Sequence, residues 1–172
     1  MLQTTYLTVD KLKDFTPISQ NVDVTLLENW IPVAEDLHIN DILGTALDTA
    51  LKTELEALGT LTGNNATLLV YILNASAWYT YYECVGFLRT KTVNKGLTQQ
   101  FSDNSQVVST EDYKLFKQEI WDKAIYYRNK LIDYLDANKT LFPLYRSCTA
   151  QFGNDCDDID CATKDNSTGI WF

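Results

Sequence analysis

Apolar residues recur along most of this chain at three- and four-residue steps between short polar clusters, the period of amphipathic helices. Thr8 is placed to cap a single helical turn through Asp14, closed by Phe15-Thr16-Pro17. Asn21-Val22-Asp23 then opens a first helix with Leu27, Trp30, Ile31, Ala34 and Leu37 along one face. Pro32 lies within it and should kink it or start a fresh turn. A second helix, capped at Asn40 or Asp41, carries Leu43, Ala46, Leu47, Ala50, Leu51, Leu55 and Leu58. It stops at Gly59, where a left-handed residue is wanted.

After the turn residues 60–65, a third helix starts at Asn64 or Asn65. Leu68, Ile72, Ala75, Tyr79 and Tyr82 line one side, with Leu69, Trp78 and Leu88 beside them. So wide an apolar face predicts a central helix. Between Val93 and Val108 the period breaks. Two extended runs, 97–101 and 106–108, flank the polar cluster 102–105 and predict a short hairpin or flap, of a kind that lies on a neighbour. A fourth helix begins at Ser109 or Thr110, repeats Tyr113, Phe116, Ile120, Ala124, Tyr127, Leu131 and Tyr134, and closes near 136–138. Beyond Asn138 no period remains. Phe142, Pro143, Leu144 and Tyr145 are followed by a polar, acidic stretch and then Gly169-Ile170-Trp171-Phe172. The expected fold is all-α: a small four-helix bundle over 1–137, with a β-hairpin or flap between its last two helices, and an extended arm over 138–172. An apolar end on a polar arm should dock, on a partner in preference to its own domain.

Composition sharpens this reading. At 172 residues and 45% hydrophobic the chain can bury a core. Its net charge of −9, from 23 acids and 14 bases, speaks against gripping nucleic acid, which relies on Lys and Arg. No signal peptide and no apolar run near the roughly 20 residues of a membrane span are visible, so a cytoplasmic protein is expected. Cys84, Cys148, Cys156 and Cys161 should then be free thiols.

Motifs for chemistry are missing. His38 is the sole histidine, and a surface or capping role is expected of it. The spacing of Cys148, Cys156 and Cys161 does not fit zinc. Asp155, Asp157, Asp158 and Asp160 lack the Gly and Glu of a calcium loop, so a solvated acidic loop is expected. No catalytic residue, cofactor or metal is predicted.

The order of elements adds a resemblance. Leu27-x-x-Trp30-Ile31-x-x-Ala34-Glu35 runs into His38-Ile39-x-x-Ile42-Leu43-Gly44-x-x-Leu47-x-x-x-Leu51. An alanine- and aromatic-rich helix over 73–86 leads to Lys95-Gly96 and an extended segment, and the last helix ends in Tyr126-Tyr127-Arg128-x-x-Leu131-Ile132-x-Tyr134-Leu135. Over roughly 5–137 this resembles the adaptor, or head-completion, proteins of tailed phages. The resemblance implies a non-enzymatic virion subunit that forms a closed ring, typically of twelve copies, below the portal protein. The ring would join capsid to tail, touch further ring or tail proteins, and line a channel through which DNA passes without specific binding; no membrane is involved. The long segment 139–172 departs from shorter relatives and is similar to elaborated ring proteins of crass-like gut phages and other short-tailed viruses.

The partner contacts then expected are Phe101 and Val107 on the flap, Phe142, Leu144 and Tyr145 as a near anchor, and Ile170, Trp171 and Phe172 as a far one. Cutting after Asn138 should leave the bundle folded yet unable to attach. Two other readings stay open: a helical binding module outside any virion, with the tail as recognition peptide, and an enzyme with a carboxylate or metal-assisted site in the acidic tail.

Overall fold

A computed structural model describes residues 4–93, 96–99 and 109–145, with side chains over 4–88 and 109–145. The chain is mostly helical. Thr8 caps α1 (Val9–Phe15) by accepting from the Lys11 N–H, and Asp23 caps α2 (Val24–Glu28) by accepting from Thr25. Helix α3 (Trp30–Ala34) starts afresh after Asn29, which puts Pro32 in its first turn. The N–H groups there have no helical partner, so proline forfeits nothing.

A π-helical turn follows over Glu35–Ile39, closed by the Asn40 N–H on the Glu35 carbonyl, and leads into α4 (Asn40–Leu43). This turn corrects a phase. Leu27, Ile31 and Ala34 are buried at steps of four and three, but the next buried apolar residue is Ile39, five further on. Leu37, expected on the apolar face, is rotated outward and is 59% exposed.

Gly44, at φ 74°, separates α4 from α5 (Thr45–Leu58), so the expected second helix is two pieces. Its stripe is split as well: Leu43, Leu47 and Leu51 are buried, whereas Ala46, Ala50 and Leu58 face solvent. Gly59 closes α5 in the left-handed conformation at φ 71°, its N–H on the Leu55 carbonyl, as the sequence predicts.

Helix α6 (Gly63–Arg89) is central, as its wide apolar face predicts. α1, α3 and the π turn pack against it, and α7 (Thr110–Ala137) lies along it. Tyr71 stacks on Tyr134 at 4.3 Å, Trp78 on Tyr127 at 6.4 Å, and a Cβ at Gly86 would stand 3.2 Å from the Tyr113 hydroxyl. These pairs run in opposite senses, so α6 and α7 are antiparallel. Between them β1 (Thr90–Val93) pairs antiparallel with β2 (Gly96–Gln99), Val93 opposite Gly96. The described pairing begins at the end of α6, with two residues between the strands. Phe101, Val107 and the cluster 102–105 lie outside the described residues.

Ser109 caps α7 through the Asp112 N–H at 3.0 Å. Past Asn138 the chain turns back, with the Leu141 N–H on the Asn138 carbonyl and the Tyr145 N–H on the Phe142 carbonyl, both at 2.9 Å. Phe142 and Tyr145 enter the core, 2% and 8% exposed, and Phe142 approaches Tyr134 at 6.0 Å. The folded unit thus runs to Tyr145, past the boundary expected at 137. As a near anchor for a partner only Leu144, 46% exposed, is left outside the core. Turns and not a helix carry these residues inward, which is why no period announces them.

Cutting after Asn138 should accordingly cost the fold and not only attachment. Phe142→Ala is expected to destabilise by about 3 kcal/mol, lowering the melting temperature by roughly 10 °C by circular dichroism. A chain ending at Asn138 should melt well below one ending at Tyr145.

Candidate functional site

The most unusual chemical group is Glu35, a carboxylate only 1% exposed at the head of the π turn. Steps of four from Leu27 through Ile31 put it on the apolar stripe, so it enters the interior with that face. It accepts from the backbone N–H of Tyr6 at 3.0 Å and of Leu7 at 3.0 Å, and from the Ser76 hydroxyl of α6 at 3.3 Å. Loss of water pushes its pKa up to about 7, opposed by these hydrogen bonds and by the Lys52 charge.

A second polar link continues outward. The Tyr6 hydroxyl donates to Asp48 Oδ1 at 2.8 Å, and Asp48 meets Lys52 at 3.0 Å on α5. Burial, then the Asp48 charge, raises the Tyr6 pKa far above the usual phenol range. A raised carboxyl can serve as a general acid or base, but such a group must reach its substrate. Glu35 is sealed and its oxygens are engaged by the chain's own N–H groups. Its work is architectural: it pins residues 6 and 7, the π turn and α6 together.

His38 sits in the same π turn and is neither a cap nor a surface residue. Its ring stacks on Tyr79 at 4.0 Å and nearly parallel, meets Trp121 of α7 edge-on at 6.2 Å, and bonds Glu83 at 2.9 Å. It is thus a cross-brace between the π turn, α6 and α7. Cys84 is a free thiol in the interior, its pKa pushed up to about 12 by burial, which keeps it protonated and unreactive. Among the described residues no group of three or more His, Cys, Asp or Glu is placed to hold a metal, and no helix is long and apolar enough to cross a membrane. Cys148, Cys156, Cys161 and the Asp155–Asp160 run lie outside them.

The accessible features are on the surface. On one flank of α7, Trp78, Glu119, Asp122, Lys123, Tyr126 and Tyr127 line a groove of about 470 Å³. Trp78 and Tyr127 are near-parallel rings in its lining, Tyr126 stands edge-on to Tyr127 at 5.2 Å, and the Lys123 ammonium lies 4.9 Å over Trp78. Further along α7, Leu115 is 67% and Phe116 40% exposed. A second apolar patch comes from Leu26, Val33, Leu37 and Phe87, with Trp30 stacked on Phe87 at 4.2 Å. Of the partner contacts expected from sequence, Phe142 and Tyr145 are core and Leu144 is exposed; Ile170, Trp171 and Phe172 lie outside the described residues with Phe101 and Val107. Sequence reasoning missed Glu35, whose only signal was an acid on the apolar face, and the groove, where Tyr127 reads as core.

Glu35 gives the fold a pH signature. Its folded pKa lies above the ordinary 4.5, so the folded chain holds the proton more tightly than the unfolded one. This contribution is fully present below about pH 4.5 and is lost as pH rises through about 7. Chemical denaturation across that window should show it, to at most about 3 kcal/mol. Glu35→Gln should flatten that slope, and a variant with the wild-type slope would place the titration elsewhere.

Comparison with known proteins adds one relation. The family DUF6712, of unknown function, matches residues 39–151, which run from the end of the π turn through α4–α7 and past Tyr145. No curated protein and no solved structure matches the chain. Because the match covers about two thirds of its length, the chain belongs to the family of unknown function DUF6712.

Proposed function

We propose that the chain is a structural subunit of a tailed-phage head-to-tail connector, assembling head-to-tail into a closed ring below the portal and around the DNA exit channel. The observation that carries this reading is the pair of unlike apolar patches on different elements. One is Leu115, Phe116 and Tyr126 on α7, and the other is Leu26, Val33, Leu37 and Phe87 on α2, α3, the π turn and the end of α6. A head-to-tail contact needs two different surfaces on each subunit, whereas a two-fold dimer needs only one that matches itself. Large apolar side chains exposed together mark interaction surfaces.

Finer parts of the reading follow. The β1–β2 hairpin, with Phe101 and Val107 beyond it, forms a flap on the next subunit. The arm past Tyr145 carries Ile170, Trp171 and Phe172 to the portal, with Leu144 at its root. A net charge of −9 suits a channel wall that DNA slides past without adhering.

The test is the mass of the purified chain, alone and mixed with a candidate portal, by light scattering and electron microscopy. A ring, or a monomer that assembles only on the portal, is expected. Leu115→Glu and Leu37→Glu, on the two patches, should each abolish assembly while shifting stability by no more than about 0.5 kcal/mol. A monomer indifferent to the portal overturns the reading.

A further inference from the structure

The groove on the α7 flank is not absorbed by a ring contact alone. We propose that in the unassembled chain it seats the chain's own Ile170-Trp171-Phe172 triplet, so that the arm is parked on the domain that bears it. The proposal is independent of the ring and rests on shape, chemistry and reach.

The shape comes first. A groove of about 470 Å³ with Trp78 and Tyr127 in its lining and Tyr126 standing edge-on offers faces and edges to incoming rings. Aromatic pairs favour these offset and edge-on arrangements. Tyr126 is 57% exposed, with the Lys130 ammonium over its ring at 5.6 Å. Polar chemistry agrees. The indole N–H of a Trp needs an acceptor when it is buried, and Glu119 and Asp122 stand on the rim. Lys123, already over the Trp78 ring at 4.9 Å, is placed to cover a second ring as well. The triplet joins one Trp to a Phe and an Ile, so it can use each of these features.

Reach favours the same chain over another copy. The described residues end at Tyr145, beside Phe142, which touches Tyr134. Tyr127 is two turns from Tyr134 along α7, about 10 Å. The 24 residues from Arg146 to Gly169 span up to roughly 80 Å when extended, ample for that distance. Tethering supplies an effective concentration on the order of millimolar, against micromolar for a second copy in dilute solution. The second patch, around Leu26, Leu37 and Phe87, has Trp30 and Phe87 already stacked on each other.

The experiment uses the full chain with Phe172 replaced by a photoreactive benzoylphenylalanine, irradiated at low micromolar concentration and mapped by mass spectrometry. The expected product has the mass of a single chain, with the C-terminal peptide joined to the α7 peptide holding Tyr126 and Tyr127. Tyr126→Glu should lower that yield by roughly tenfold, about one aromatic contact's worth of occupancy, with the far-ultraviolet circular dichroism spectrum unchanged. Leu37→Glu should leave it alone. A product at twice the mass, a cross-link to the 26–37 region, no cross-link at all, or a yield indifferent to Tyr126→Glu would each overturn the proposal.

Discussion

Folding this chain requires a carboxylate to leave water, and much of the N-terminal half is arranged around that requirement. An ionised group without partners in an apolar interior is far too costly to persist, so Glu35 must meet donors where it is buried. It finds them in two consecutive backbone N–H groups, of Tyr6 and Leu7, and in Ser76 of α6. Those N–H groups are free to bond a side chain because residues 6 and 7 precede α1 and belong to no ladder. Once they are held, the Tyr6 ring is fixed over the interior and its hydroxyl reaches Asp48, which brings α5 into register. The first four short elements would otherwise be too short to stand alone, since isolated helices of five or seven residues do not persist in water. The π turn belongs to the same solution: one additional residue in the turn lets Glu35 face inward and still returns Ile39, Ile42 and Leu43 to the core. A regular α-helix would have brought Leu37 and His38 inward in place of Ile39.

The C-terminal half obeys a different constraint. Helix α7 packs chiefly on α6, through one seam of rings. Tyr71 on Tyr134, Trp78 on Tyr127 and Tyr82 on Trp121 supply area at low rotamer cost, and Gly86 lets the helices close over Tyr113. A helix held on one side keeps the rest of its circumference exposed. Charges cover most of it, with Lys117 over Tyr82 and Lys130 over Tyr126 shielding ring faces. Leu115 and Phe116 are not so covered, and the burial they leave undone is available to a partner.

Much of the helical content was legible because periodicity and caps report local physics. Thr8, Asp23, Ser109 and Gly59 do what their side chains or conformational freedom dictate. What failed to show depends on contacts distant in sequence. Glu35 meets residues 28 and 29 positions away, so nothing nearby marks it as buried, and an acid at that step passes for a wet position. The π turn is visible only as a five-residue gap between Ala34 and Ile39, a gap a regular wheel fills with Leu37. Phe142 and Tyr145 enter the core from turns, where no period exists. The expected second helix is divided at Gly44: its positive φ ends a helix that the apolar stripe alone would continue, and α5 is left with half of that stripe wet.

The family match bears unequally on these two constraints. Its span begins at residue 39, after Glu35, Tyr6 and Leu7, and takes in α4 through α7 and the turn that buries Phe142 and Tyr145. The match thus leaves out the carboxylate and the two N–H groups that hold it but takes in Ser76 and Asp48, together with the aromatic seam, the groove and the exposed side of α7. A sealed acid can stabilise one chain's fold without any other molecule taking part, but an uncovered helix side bearing Leu115 and Phe116 has consequences only when something meets it.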